Sequence, residues 1–313
     1  MRLGIDLVLN PRARRLQNGQ PLRRRLLEQA KHVGARVHET ADLAALDRVA
    51  AEIAAAGTRA VVLAGGDGSM MRGLSALGRA FGADLPPVAL APAGTVGTVA
   101  LGLGLRGRAC AVRVLAAVGS GTARTVSSPT LRVRDASGEH IGFIFGAGLV
   151  ARFFDAYQRA PQPGRWAAAR IAARIFAGSL VGSPFARHVL ERAPCTLTVD
   201  GERQVAGGFS LIVASVLRDV GLHFRVTYRA GESPGRFHVV ASGLPPRALG
   251  SQVFRALAGK ALRGEPRVDA LARAMRVEFD GGGDSGAYVI DGDVLRSPWV
   301  EVDAGPEIHL LMG

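Results

Sequence analysis

Cysteine is nearly absent from this chain: Cys110 and Cys195 are the only two in 313 residues, far apart in the sequence. That excludes a disulfide framework and a cysteine-rich zinc site, and leaves both thiols as small buried residues expected in a reducing cytoplasm. Lysine is almost missing too, since all but Lys31 and Lys260 of the 39 basic residues are arginine. Acidic residues number 26, so the formal charge is +13 and anionic partners are favoured. Long apolar runs are lacking. Leu85–Leu105 is uncharged but broken by prolines and glycines, so it reads as loop and turn rather than a membrane span. The N-terminus, MRLGIDLVLNPRARR, turns basic after too short an apolar core for a signal peptide. Two phosphate signatures are absent as well: the G-x-x-x-x-G-K-[ST] loop, and a G-x-G-x-x-G that follows a strand with an acid about 20 residues on. Aromatic residues make up 5% of the chain and are not interleaved with basic patches, so only the charge suggests a nucleic-acid binder.

What is present centres on Ala60–Leu77, AVVLAGGDGSMMRGLSAL. The apolar run Ala60–Ala64 predicts a buried strand, and Met70, Leu74 and Leu77 share one face of a following helix. Between them lies Gly65-Gly66-Asp67-Gly68-Ser69. Glycines let backbone N–H groups approach an anion with no Cβ in the way, and a helix N-terminus adds a positive dipole end. Asp67 repels phosphate unless a divalent cation or a reacting hydroxyl stands between them. The alternative is a plain strand–helix turn in which Asp67 caps the helix.

Along the chain, Leu3–Leu9 predicts a first strand, stopped at Asn10-Pro11. Arg12, Arg14 and Arg15 follow, either guiding a polyanion or solvating a turn. Leu22–His32 and Leu43–Ala56 have helical spacing, with a strand over Ala35–Glu39 between them. Val88–Leu90 predicts another strand and Leu105–Val118 another helix. This alternation implies a doubly wound parallel α/β domain, whose ligands gather at the carboxyl ends of the strands. From Thr122 onward short β-type runs take over: Thr130–Arg134, His140–Phe145, Cys195–Val199, Gly208–Ser215, Gly221–Tyr228 and Phe237–Ser242. A helix over Arg165–Gly178 interrupts them, carrying Trp166 and Ile171 among Arg165, Arg170 and Arg174. It reads either as a basic amphipathic helix for an anionic membrane or as a helix packed on a sheet. Tyr288–Asp293 and Trp299–Leu311 predict two closing strands, and Phe143, Phe145, Phe153 and Phe154 read as core before pocket.

Four landmarks in register resemble the diacylglycerol kinase catalytic-domain family, which includes bacterial lipid kinases and sphingosine kinases and is distantly similar to NAD kinases. Asn10-Pro11 matches its opening N-P, Gly65–Ser69 its G-G-D-G-[ST], Pro92-Ala-Gly94-Thr95 its P-x-G-T, and Asp291-Gly292-Asp293 its D-G-E. The resemblance implies an α/β nucleotide domain over residues 1–124, with 297–313 returning to it, and a β-sandwich-like lipid-substrate domain over 125–296. It implies ATP and magnesium as cofactors and a lipid alcohol at an anionic membrane face as partner. Asn10, Gly65, Gly66, Gly68, Ser69, Gly94 and Thr95 would hold the nucleotide and Asp67 would act near the metal. Asp293 would stand for the family's Glu as the base that takes the hydroxyl proton. Gly97 and Thr98 replace the Asn and the small or acidic residue of G-T-x-N-[DA], and Glu232-Ser-Pro-Gly235 offers one ligand where some relatives hold a structural cation. A non-catalytic relative and an NAD kinase-like enzyme are the alternatives.

Overall fold

The computed structural model describes residues 4–313 except 95, 108, 163 and 281–285. The chain divides into two units: Met1–Thr130 with Pro306–Gly313, and Leu131–Gly305.

The first unit alternates strand and helix. It runs β1 (Ile5–Leu9), α1 (Pro21–Val33), β2 (Arg36–Glu39), α2 (Leu43–Ala56), β3 (Ala60–Gly65), α3 (Asp67–Phe81), β4 (Val88–Pro92), α4 (Thr98–Gly102), α5 (Cys110–Ser120) and β5 (Arg124–Ser128). The order in the sheet is β2-β1-β3-β4, parallel throughout. The last strand of the chain, β18 (Ile308–Met312), joins it parallel to β4 and antiparallel to β5. α1 packs against α5 and α2 against α3, so helices cover the sheet, and β1 and β3 are buried along their whole length. That burial is why their sequences are apolar runs rather than alternating ones, apart from Asp6 in β1. Pro21 opens α1 where a missing N–H costs nothing, and Gly34 closes it in the left-handed conformation. The Asp42 carboxylate caps α2 by accepting from Ala45 N–H at 2.8 Å, a bond worth about 1 kcal/mol. The expected helix over Leu105–Val118 starts later, at Cys110, with α4 formed separately upstream.

Buried Asp6 interrupts the apolar run of β1. Its carboxylate accepts from Arg36 at 2.7 Å and meets His38 Nε2 at 2.8 Å, both partners standing on the neighbouring edge strand. Burial pushes the Asp6 carboxyl up, but the bonds from Arg36, His38 and Thr58 outweigh it and hold it below its ordinary value.

The second unit is layered. One six-stranded antiparallel sheet contains β6 (Leu131–Asp135), β7 (Gly138–Gly142), β9 (Cys195–Val199), β10 (Glu202–Gln204), β14 (Ala274–Phe279) and β17 (Trp299–Ala304), in the order β10-β9-β14-β17-β6-β7. The other contains β8 (Ile144–Gly148), β11 (Leu211–Ser215), β12 (Phe237–Ser242), β13 (Arg267–Ala272), β15 (Ala287–Ile290) and β16 (Asp293–Arg296), in the order β13-β12-β11-β8-β15-β16. In the first sheet β6 and β9 alternate buried and solvated positions, whereas β11 and β12 of the second are buried at every position. The second sheet is therefore covered on both faces. Tyr288 on β15 donates its hydroxyl to Asp135 on β6, tying sheet to sheet. On the other face lie α6 (Leu149–Gln158), α7 (Arg165–Leu180), α8 (Pro184–Leu190), α9 (Pro246–Gly250) and α10 (Val253–Leu257). Ile175, Val189, Leu190, Leu249 and Ala256 from these helices share one core with Leu211, Val213 and Val240 of the sheet.

Three expectations are corrected here. Gly221–Tyr228 forms a turn, because Leu222 and His223 take positive φ and Val220 N–H bonds Phe224 O at 2.9 Å. His140–Phe145 is two strands, broken at Phe143. The closing segment holds four strands, β15 to β18, rather than two.

Candidate functional site

In the first unit the strand order places β1 beside β3, with β2 wound to one side and β4 to the other. The chain reverses its direction of travel across the sheet between β1 and β3, and such a switch point leaves an open crevice at the strand ends. Asn10 follows β1, and Gly66 and Asp67 follow β3. The two ends are stitched together: Asn10 N–H bonds Ala64 O at 3.0 Å and Asn10 Nδ2 donates to Ser69 Oγ at 2.8 Å. Asn10 Oδ1 accepts from Arg12 N–H at 2.9 Å, which fixes which way the amide faces. Ala93 N–H bonds Gly65 O at 2.7 Å and brings the loop after β4 onto the same spot.

The glycines are required by closeness. A Cβ on Gly94 would lie 2.9 Å from Gly66 Cα, and one on Gly65 would lie 2.6 Å from Ser69 Cβ. The loops after β3 and β4 therefore touch backbone to backbone. The first intrahelical bond of α3 runs from Met70 N–H to Gly66 O at 2.9 Å. The N–H groups of Asp67, Gly68 and Ser69 precede it, so they have no intrahelical acceptor and lie at the positive end of a 15-residue helix.

Asp67 is not a cap. Gly66 holds the N-cap position, and no side-chain bond closes it. The Asp67 carboxylate is directed instead to the backbone N–H groups of Thr98, Val99 and Ala100 in the first turn of α4. Those donors favour its charged form, but burial outweighs them and pushes the carboxyl up to about 6. Its Oδ1 is sealed from solvent with no hydrogen-bond partner among the described residues. A buried acceptor left open beside a bare backbone cradle fits a nucleotide phosphate with its divalent cation, because the cation supplies the missing partner.

Asn10, Gly65, Gly66, Asp67, Gly68, Ser69 and Gly94 are thus brought together, while Thr95 lies outside the described residues. Gly97 sits just before α4 with φ +68°, and a Cβ there would meet nothing within 4 Å. Glycine and asparagine are the residues that take this left-handed conformation at least cost, so the local geometry accepts either.

In the second unit Asp291 and Gly292 form the two-residue turn between β15 and β16, both with positive φ, and Ile290 pairs with Asp293 across it. Asp291 is consumed by structure. Its Oδ1 accepts from Phe143 N–H at 3.1 Å and Ile144 N–H at 2.8 Å, which is what separates β7 from β8. Asp293 is half-buried at the start of β16. Beside the turn, α6 presents Phe153, Phe154 and Tyr157, packed ring on ring and half-buried, and a Cβ on Gly292 would lie 3.5 Å from Phe154 Cε1. Of the four phenylalanines read as core, Phe143 and Phe145 are fully buried, Phe153 packs its half-buried ring against the core under the helices, and Phe154 stands beside the Gly292 turn. Sequence reading missed the ledge, although Phe153 and Tyr157 already stand four apart.

Residues 5–129 match the profile of the diacylglycerol kinase catalytic domain. The resemblance read from the motifs therefore holds over this segment. Solved structures from Bacillus anthracis str. Sterne share the fold along the whole length. A diacylglycerol kinase from that strain superposes with a TM-score of 0.64 at 13% identity, over 100% of this chain and 98% of its own. Two further proteins of the strain, provisionally assigned the same activity, give TM-scores of 0.72 and 0.68 at 15% and 16% identity. They are covered over 95% and 98% of their lengths, and this chain over 99% and 100%. No curated protein matches the sequence. The matched segment contains every glycine of the cradle together with Asn10 and Asp67.

Proposed function

We propose that this protein is an ATP-dependent lipid kinase that phosphorylates the hydroxyl of a diacylglycerol- or sphingoid-like alcohol. The observation that carries the reading is Asp67, a carboxylate with a buried open acceptor beside a cradle made of backbone. Gly65, Gly66, Gly68, Ser69 and Gly94 hold the ATP phosphates, with Asn10 fixing Ser69. Asp67 holds Mg²⁺, which when bound neutralises phosphate charge that the protein's own groups leave uncompensated. Phosphoryl transfer depends on positioning and charge stabilisation more than on covalent chemistry, and needs one carboxylate to accept the acceptor's proton. Asp293 is assigned that role, since Asp291 of the same turn is committed to backbone N–H groups. The aromatic ledge on α6 favours a lipid over a soluble dinucleotide, because it offers apolar half-buried surface next to the Asp293 turn.

The test is transfer of labelled γ-phosphate to a panel of lipid alcohols in mixed micelles with Mg²⁺. Wild type is expected to label at least one of them, and Asp67→Ala and Asp293→Ala to label none while retaining the wild-type circular dichroism. Tight ATP binding with no labelled lipid would replace this reading with that of a non-catalytic relative, and formation of NADP would replace it with a dinucleotide kinase.

A further inference from the structure

The helical layer of the second unit carries an outer surface that its own core does not use. On α7 the side chains of Ala168, Ala172, Ile175 and Ser179 are buried against the rest of the unit. At 3.6 residues per turn, Trp166, Arg170, Ala173, Ala177 and Leu180 then fall on the opposite stripe. All five are exposed, Trp166 at 89%. Val181 and Phe254 extend the apolar surface, exposed at 82% and 79%. The segments that carry them meet, since Gly250, four residues before Phe254, approaches the last turn of α7 so tightly that a Cβ there would collide with Ser179. Outside this layer, large exposed hydrophobic residues stand apart from one another, at Val37, Leu43, Leu101 and Val205.

The charge carried by helices α7 to α10 has one sign. Residues 164–190 contain Arg165, Arg170, Arg174 and Arg187 and no acid; residues 245–264 contain Arg247, Arg255, Lys260 and Arg263 and no acid. Among the described residues none of these eight pairs with a carboxylate. Elsewhere in the unit Arg134 pairs with Asp303 and Arg276 with Glu301. A helix packed on a sheet with its outer face in water gains nothing from a Trp and a Leu on that face. Two apolar anchors, at Trp166 and at Leu180 with Val181 and Phe254, lie about 21 Å apart along α7, with small alanines and arginines between them. This is the composition of a helix that lies in a membrane interface, with aromatic and aliphatic side chains in the acyl boundary and arginines at the anionic headgroups.

We infer that the α7–α10 layer docks the protein onto an anionic phospholipid bilayer, with α7 parallel to the surface and Trp166 and Phe254 inserted. The choice of a bilayer over another polyanion rests on the lipid-kinase reading. The binding itself is independent of phosphotransfer.

The test is partition onto sucrose-loaded vesicles of phosphatidylglycerol and phosphatidylcholine in equal parts, against phosphatidylcholine alone, with no nucleotide present. Wild type is expected to bind the mixed vesicles and not the neutral ones, with weaker binding at high salt. Arg170→Glu with Arg174→Glu should weaken partition at least about thirtyfold, since each of the two lost positive charges contributes about fivefold. Trp166→Ala with Phe254→Ala should weaken it at least about tenfold. Val205→Ala, at an exposed residue just after β10 and away from the layer, should change nothing. The chain has two tryptophans, and Trp299 is half-buried beneath Arg276. An emission blue shift on vesicle binding, quenched by brominated lipid and lost in Trp166→Phe, therefore reports insertion of α7. Equal binding by the layer variants, equal binding to neutral vesicles, or a concentration-dependent dimer that these variants abolish would overturn the proposal. Vesicle binding without any phosphotransfer would sink the kinase reading and leave this one standing; phosphotransfer to micellar lipid without vesicle binding would do the reverse.

Discussion

Replacing Asp67 with Asn should stabilise the first unit at neutral pH and remove a pH dependence that wild type carries. The folded carboxyl sits at about 6 against an ordinary value of 3.8. A gap of about 2 units at about 1.4 kcal/mol each gives about 3 kcal/mol. The sign follows from which state holds the proton. Between these two values the folded protein is protonated at Asp67 and the unfolded chain is not, so stability falls as pH rises through that window. Below pH 4 both states are neutral at this position and Asn mimics the neutral acid, including a polar atom at the unpartnered Oδ1. The two proteins should then be close in stability. Above pH 7 the full difference of about 3 kcal/mol should favour Asp67→Asn, equivalent to roughly 6–12 °C in the melting temperature of a domain of this size. The assay is urea and thermal unfolding of both proteins from pH 4 to 8 without nucleotide, following the difference so that titrations common to both cancel. Adding Mg²⁺ with ATP should raise the midpoint of wild type and leave the variant almost unmoved. A stability difference that is flat with pH, or one that favours wild type more strongly as pH rises, would refute the claim that burial leaves this carboxylate uncompensated.

Other substitutions separate structural from chemical roles. Asp293→Asn should cut turnover by roughly 10²–10⁴ with ATP affinity unchanged, read by steady-state kinetics and calorimetry, as expected for loss of a general base. Asp291→Ala, two residues away, should act on stability instead, costing about 2–4 kcal/mol in chemical denaturation, because it strands the N–H groups of Phe143 and Ile144. Gly94→Ala forces a Cβ to 2.9 Å from Gly66 Cα, and should cost about 1–3 kcal/mol and abolish ATP binding in the same preparation. Gly97→Asn, at φ +68° with open space around it, should cost less than about 1 kcal/mol and tighten ATP binding if the family's amide contacts the nucleotide. Arg36→Ala should destabilise the first unit by about 2–4 kcal/mol in urea melts at pH 7, with the loss fading below pH 4 as Asp6 becomes protonated.

What the sequence made legible was local. β1, β3 and β4 are runs of apolar residues with a stop signal at the end, and α2 carries its cap in its own preceding residue. The glycine turn was recognisable because closeness of backbones leaves glycine as the residue that fits. What stayed illegible depends on partners far along the chain. Whether Asp67 caps its own helix or faces something else is decided by the amides of Thr98–Ala100, some 30 residues on. The break between β7 and β8 is made by Asp291, 148 residues downstream. β13 and β14 hide behind alternating charges, since arginines and acids on a solvated face dilute the β signal.

The same distinction explains why α7 permitted two readings. Its sequence places Trp166, Ile171 and Phe176 among arginines, and periodicity alone does not say which of these face the protein. The fold answers by burying Ile175 and half-burying Ile171 and Phe176, and by leaving Trp166 outside. A helix that packs on a sheet through one stripe can still present a second, so the two readings were never exclusive. Core packing accounts for the inner stripe, and the outer stripe, with no acid on helices α7 to α10, calls for an anionic partner.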